Sequence, residues 1–156
     1  MLPTSTFKTV VKSTPLISID LIVRDKKNNI LLGKRKNRPA KEQWFVPGGR
    51  IIKDETFETA FQRLITEELN LLCVDSSFKG VYQHFYNDNF SVEHFSTHYV
   101  VLAYEIFSHS GLLKLPTDQH SKYKWFSETE LLLDAQVHEH TKWYFQDEKC
   151  ADRKIK

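Results

Sequence analysis

The chain has 156 residues, 40% apolar and 13% aromatic, with 22 Lys and Arg against 20 Asp and Glu and a formal net charge of +2. That length suits one domain with a sizeable core, and so small a charge argues against a nucleic-acid surface. Two cysteines make no disulfide framework, no apolar run reaches the ~20 residues of a membrane span, and Met1 to Thr14 lacks a signal-peptide core, so a cytoplasmic setting with no membrane partner is expected.

Thr6 to Lys12 reads as a short helix, with Phe7, Val10 and Val11 on one apolar stripe. A second copy of the chain is a natural cover for such a stripe, so residues 1–14 are a candidate dimer-forming segment. Leu16 to Val23 reads as a β-branched strand in which Asp20 interrupts the apolar residues. Ile30 to Arg35 is a second strand, joined to the first through an Asp25–Asn29 turn. Trp44 to Val46 is a short strand entering Pro47-Gly48-Gly49-Arg50. From Thr56 to Asn70 there is no Gly or Pro, and Phe57, Ala60, Phe61, Leu64 and Leu69 recur at helical spacing, with Asp54 or Thr56 as the cap. Phe78 to Tyr86 and Phe95 to Phe107 read as long strands around the polar Asn87-Asp88-Asn89 turn, and Tyr123 to Phe126 as another. Ser127 and Glu130 have capping-box spacing, opening a helix to about Asp134; a last helix is expected from His138 to Glu148, and a frayed tail over 150–156. Strands with a central helix and flanking helices argue an α+β or α/β sandwich in a single domain over residues 1–156.

The residues that carry chemistry begin at the double glycine. Glu55 follows Gly49 by six positions, Arg63 follows Glu55 by eight, and Glu67 and Glu68 stand four and five beyond Arg63. Glu67 suits an (i, i+4) pair with Arg63. Glu68 stands four residues after Leu64, so it continues the apolar stripe, where a carboxylate is costly unless paired or bound to a cation. Hard oxygen donors beside an open loop suit magnesium, with manganese able to substitute. Zinc is poorly supported: there is no CxxC, and His94 and His98 have helix-type spacing in an expected strand.

This spacing resembles the Nudix box, a loop-helix-loop that holds a divalent metal against a diphosphate. Two positions depart from the general pattern: Leu64 stands where the pattern has a glutamate directly after the arginine, and Asn70 where it ends in glycine. Asn37-Arg38-Pro39-Ala40, Trp44 to Arg50, Gln83-His84-Phe85-Tyr86 with Asp88-Asn89-Phe90, Thr97 to Leu102, and Asp118-Gln119-His120 followed by Trp125 narrow the likeness. They resemble the GDP-mannose mannosyl hydrolase branch of the Nudix family, from about Thr9 to Phe145 and including the Leu64 departure.

The resemblance implies an α/β/α sandwich with a mixed central sheet, a homodimer, and an unusual reaction. In that branch water attacks the anomeric carbon of the sugar and releases GDP and the free hexose with inversion. His120 is then the expected general base, with an ordinary imidazole pKa near ~6.5. Magnesium is expected between the Gly48 carbonyl, Glu68, Gln119 and the diphosphate. Arg35 and Arg50 are expected on the phosphates, with Lys36 beside them. Asp20 is expected to contact substrate or orient the catalytic groups, Tyr99 to reach the diphosphate or sugar, and His84 to line the sugar pocket. His94, His109, His138 and His140 read as surface residues, and Phe7, Trp44 and Phe90 as possible stacking partners for guanine. Two other functions compete: attack at phosphorus by a conventional Nudix diphosphohydrolase, which Glu67 favours, and a non-catalytic Nudix sensor, which Arg50, Glu68 and His120 oppose.

Overall fold

The computed structural model describes residues 2–91, 93–107 and 114–153. Helix α1 (Thr4–Ser13) leads into β1 (Leu16–Arg24), β2 (Ile30–Arg35), β3 (Trp44–Phe45) and β4 (Gly48–Arg50). Helix α2 (Phe57–Leu69), β5 (Asp75–Tyr86), β6 (Thr97–Phe107) and β7 (His120–Phe126) follow, then α3 (Glu128–Leu133), α4 (Glu139–Trp143) and a 3-10 turn (Asp147–Lys149). The sheet runs β3-β2-β1-β6-β5, with β4 also on β1 and β7 also on β2. β1 and β6 are parallel and the other pairs antiparallel, so the sheet is mixed and the fold is the expected α+β arrangement.

β1 is central and buried on both faces, and its alternation sorts the two layers. Ile19, Leu21 and Val23 face α2, packing with Ala60, Leu64, Ile65 and Leu69. Ile22 faces the other side, with Ile30, Leu32, Phe126, Leu131 and Tyr144. Asp20 therefore enters the layer built by α3 and α4, away from the box helix.

The caps of α2 follow from sequence. Thr56 Oγ1 accepts from the Thr59 amide, so Thr56 is the N-cap, and Asn70 ends the helix in the left-handed region at φ 55°. The Ser127–Glu130 capping box is present, and α3 stops one residue short of the expected Asp134. The expected His138–Glu148 helix is cut to five residues and a separate 3-10 turn. Tyr144 still has helical angles, but Gln146 is extended. The tail is docked at its start: Cys150 is buried, and the Ala151 amide donates to the Val81 carbonyl at 2.8 Å. The stripe on α1 is largely covered by its own chain, with Val11 buried and Phe7 half-buried against Phe90.

Candidate active site

One arginine locks the glycine loop to α2. Arg63 donates from Nε to Glu55 Oε1 (2.7 Å), and from Nη2 to Glu55 Oε2 and the Arg50 carbonyl (2.9 Å each). Its Nη1 reaches Glu67 Oε2 at 2.9 Å. The arginine first, and the Ile52 amide second, hold the Glu55 carboxyl down to about 2. Glu67 is thus occupied by an exposed (i, i+4) pair. Leu64 is 2% exposed, and a Cβ on Gly49 would lie 2.6 Å from its Cδ2. The leucine therefore fills the space under the glycine loop with hydrocarbon, where the general box carries a carboxylate.

Glu68 is left as the inward acid. It is buried, and among the described residues nothing hydrogen-bonds it; the His120 imidazole is 4.0 Å away. Burial first, then the neighbouring Glu67, pushes it up to about 7, against the pull of Arg35. A divalent cation is the partner such a group lacks. Gly48 and Gln119 line the same cleft, so their oxygens are the candidate further donors. The set is short, since no group of three or more His, Cys, Asp or Glu among the described residues forms a closed metal site. A short oxygen set fits magnesium, which keeps waters and shares substrate phosphates.

His120 opens β7, paired in register with Arg35. Its ring lies flat on Gly33, where any Cβ would collide with His120 Cγ and Cδ2. Nδ1 is 3.2 Å from the Tyr123 hydroxyl, and that hydroxyl donates to the Pro116 carbonyl at 2.7 Å. With the hydroxyl proton committed, Nδ1 must be the donor, and Nε2 carries the free lone pair. The expected pKa near ~6.5 is corrected: burial, then Arg35, lowers the imidazole to about 4. His120 is a neutral base throughout the physiological range.

The cleft floor is aromatic and imidazole. Tyr144 donates to Asp20 Oδ2 at 2.5 Å, and His84 Nε2 lies 3.3 Å from the same hydroxyl. Burial raises Asp20 to about 6, opposed by that hydrogen bond and by Arg35. His84 stacks on His140 at 4.3 Å between ring centroids, and His140 contacts His138 at 4.6 Å. The expectation that His138 and His140 lie on the surface therefore fails for His140, which is buried, while His138 is half-buried. The shortened α4 folds them onto the sheet, and burial lowers them to about 4 and about 3. His94 is exposed as expected, and His109 lies outside the described residues.

The cations sit above this floor. The Arg35 guanidinium lies 5.5 Å over the Phe45 ring, and its charge is felt by Asp20, Glu68, Tyr99 and His120. Arg50 lies 4.1 Å over Phe7, which packs on Phe90 at 4.8 Å. Lys36 is exposed on the cleft lining, and its Nζ donates to the Thr117 carbonyl at 2.6 Å. Gln119 Oε1 accepts from Asn37 Nδ2 at 3.3 Å. Tyr99 is half-buried, opposite His84 in the β5–β6 register. Trp44 packs on Phe126 and stands outside the cleft lining.

A cleft of about 800 Å³ gathers Asp20, Arg35, Lys36, Gly48, Arg50, Glu68, His84, Tyr99, Gln119 and His120. Sequence reasoning missed Tyr86 and Phe45 in its lining, and Tyr144 beneath it. Tyr144 is separated from its partner Asp20 by 124 residues, so no local pattern links them.

Comparison with known proteins gives the family. The sequence model of the NUDIX domain matches residues 14–146. The low-salt glycan biosynthesis protein Agl8 of Haloferax volcanii is 39% identical over 126 residues, 80% of this chain and 79% of that protein. An ADP-ribose pyrophosphatase of Methanocaldococcus jannaschii is 44% identical over 68 residues, 44% of this chain and 40% of that protein. The crystal structure of a MutT protein from Methanosarcina mazei superimposes with a TM-score of 0.69 at 18% identity, covering 92% of this chain and 99% of that one. The chain belongs to the Nudix family and is a Nudix hydrolase, of a class that acts on nucleotide derivatives and generally uses divalent metals.

Proposed function

We propose that the enzyme hydrolyses GDP-mannose, and GDP-glucose with it, to GDP and the free sugar by attack of water at the anomeric carbon. The observation that carries this reading is the division of the cleft. Leu64 replaces a box carboxylate with buried hydrocarbon, while His120 presents a free Nε2 from another element of the same cleft. The name of the Haloferax relative, a glycan biosynthesis protein, is consistent with a sugar-bearing substrate.

In this mechanism His120 Nε2 takes a proton from water as the water oxygen bonds to the anomeric carbon. The bond from that carbon to the diphosphate oxygen breaks, its electron pair leaves with GDP, and the carbon inverts. Arg35 and Arg50 take up the charge that develops on the diphosphate. Magnesium, held by Glu68, Gln119 and the Gly48 carbonyl, supplies further charge neutralisation when bound. Asp20, Tyr99 and His84 orient the sugar side. Lys36, tied to Thr117, shapes the loop beside Gln119. The enzyme works as a homodimer, which sedimentation at micromolar concentration tests against an 18.4 kDa species.

The reaction is tested in heavy-oxygen water with GDP-mannose. Label in the sugar, with inversion, is the expected result. Label in a phosphate means cleavage at phosphorus, and no turnover of any nucleotide substrate means a binding domain.

A further inference from the structure

We infer that Tyr144 is a positioning residue, fixing Asp20 and His84 in one directional hydrogen-bond chain beneath the cleft. A tyrosine hydroxyl has one proton to give. Here it goes to Asp20 Oδ2 at 2.5 Å, the shorter of its two contacts. The oxygen is then left to accept, and His84 Nε2 at 3.3 Å is the group that donates to it. The chain runs from His84 Nε2–H through Tyr144 O–H to Asp20. It fixes the His84 tautomer and leaves Nδ1 of that ring without a proton.

The geometry gives the chain a purpose. Tyr144 is 2% exposed and stands outside the cleft lining, so it does not touch substrate. Asp20 and His84 both line the cleft. With Oδ2 held from below, Oδ1 is the oxygen turned to the glycine loop: a Cβ on Gly48 would lie 2.8 Å from it. His84 is clamped from a second direction, by its parallel stack on His140 at 9° between planes. Neither cleft residue can rotate while the tyrosine hydroxyl is in place. Misplacing a positioned group by about 1 Å can cost about 10²-fold in rate. The α4 segment, which reads as peripheral, thus sets the geometry of the reacting sugar; the choice of substrate, though not the chain itself, rests on the proposed function.

Two measurements test this, and only one uses the substrate. Nitrogen-15 spectra of histidine-labelled wild-type protein should show His84 with the proton on Nε2; a His84 protonated on Nδ1 would overturn the inference whatever the enzyme hydrolyses. Tyr144→Phe keeps the ring and removes the hydroxyl. It should release the fixed tautomer and lower kcat by about 10–100-fold, with KM within about threefold, on whichever nucleotide substrate wild-type turns over. A kcat equal to wild type, or a loss confined to KM, would overturn the positioning role. Failure of the carbon-attack reading would appear separately, as label in phosphate for the wild-type enzyme.

Discussion

The wall built by α2 and the floor built against α4 meet in one cleft with opposite chemistry. On α2 the polar groups point outward and satisfy each other: Arg63 takes Glu55, Glu67 and the Arg50 carbonyl, and Glu68 is left inside without a hydrogen bond among the described residues. On the floor the polar groups point inward and are paired in part: His84, Tyr144 and Asp20 form a chain, while His140 Nδ1 is buried without a hydrogen-bond partner among the described residues. Burial acts on both in the direction of neutrality, raising the carboxylate and lowering the imidazoles. Arg35 and Arg50 line the cleft together with Lys36, Arg38 and Lys41, which suits an anionic substrate. One region leaves its buried acid without a hydrogen bond among the described residues; the other pairs its acid with a tyrosine hydroxyl.

If α2 awaits a cation, removing its inward acid should have the largest effect. Glu68→Gln is expected to lower turnover by about 10³-fold with the fold intact, and chelator treatment of the wild type to do the same. Steady-state rates with magnesium or manganese restored check this. Full activity in a chelated sample would break the distinction at its root.

His120, on β7 and 4.0 Å from Glu68, tests the proposed base. His120→Gln should cost about 10²–10⁴-fold in kcat and little in KM. The acid limb of the wild-type profile at saturating metal should fall near the lowered value of about 4, rather than near 6.5, and should vanish in the variant. A profile falling near 6.5 in both proteins would place the base elsewhere.

Much of the α2 wall was legible in the sequence because its signals are local. The Gly48-Gly49 loop, the Arg63–Glu67 spacing, the Thr56 cap and the Asn70 end lie within one short span and act over one or two helical turns. The gathering of Asp20, Arg35, Tyr99 and His120 was legible only through resemblance to a family. The floor was misread. His138 and His140, two apart, look like solvent-facing helix residues, and what buries them is the break in α4 and the docking of that segment on β5. The lowered pKa of His120 was also out of reach, since it depends on burial and on Arg35, which the sheet brings alongside from 85 positions earlier in the chain.

A third experiment sharpens the contrast at Leu64. Leu64→Glu restores the general box carboxylate, but into a site 2% exposed and in contact with Gly49. Without metal the variant should lose about 3 kcal/mol of stability through an uncompensated buried charge, and a divalent cation should recover part of it. Thermal melts with and without magnesium measure both. A variant as stable as wild type in chelator would mean that the space beneath the loop is open to water.

The smallest expected effect is the dependence of metal-free stability on pH, and here the two regions should be mirror images. His140 is held neutral in the fold, at about 3 against an ordinary 6.5. Its unfolded form binds a proton that the native form refuses, so stability is lost as pH falls from 6.5 toward 3. Glu68 is held protonated, at about 7 against an ordinary 4.5. Its native form binds a proton that the unfolded form has released, so stability is lost as pH rises from 4.5 toward 7. His140→Phe should therefore gain in melting temperature relative to wild type most strongly at low pH, and Glu68→Gln most strongly at high pH. The magnesium-induced rise of the wild-type melting temperature should follow the Glu68 limb, growing from pH 6 to pH 8 as the cation competes with one fewer proton. A magnesium shift independent of pH, or variant differences with the same sign of slope, would show that the wall and the floor are not electrostatically distinct.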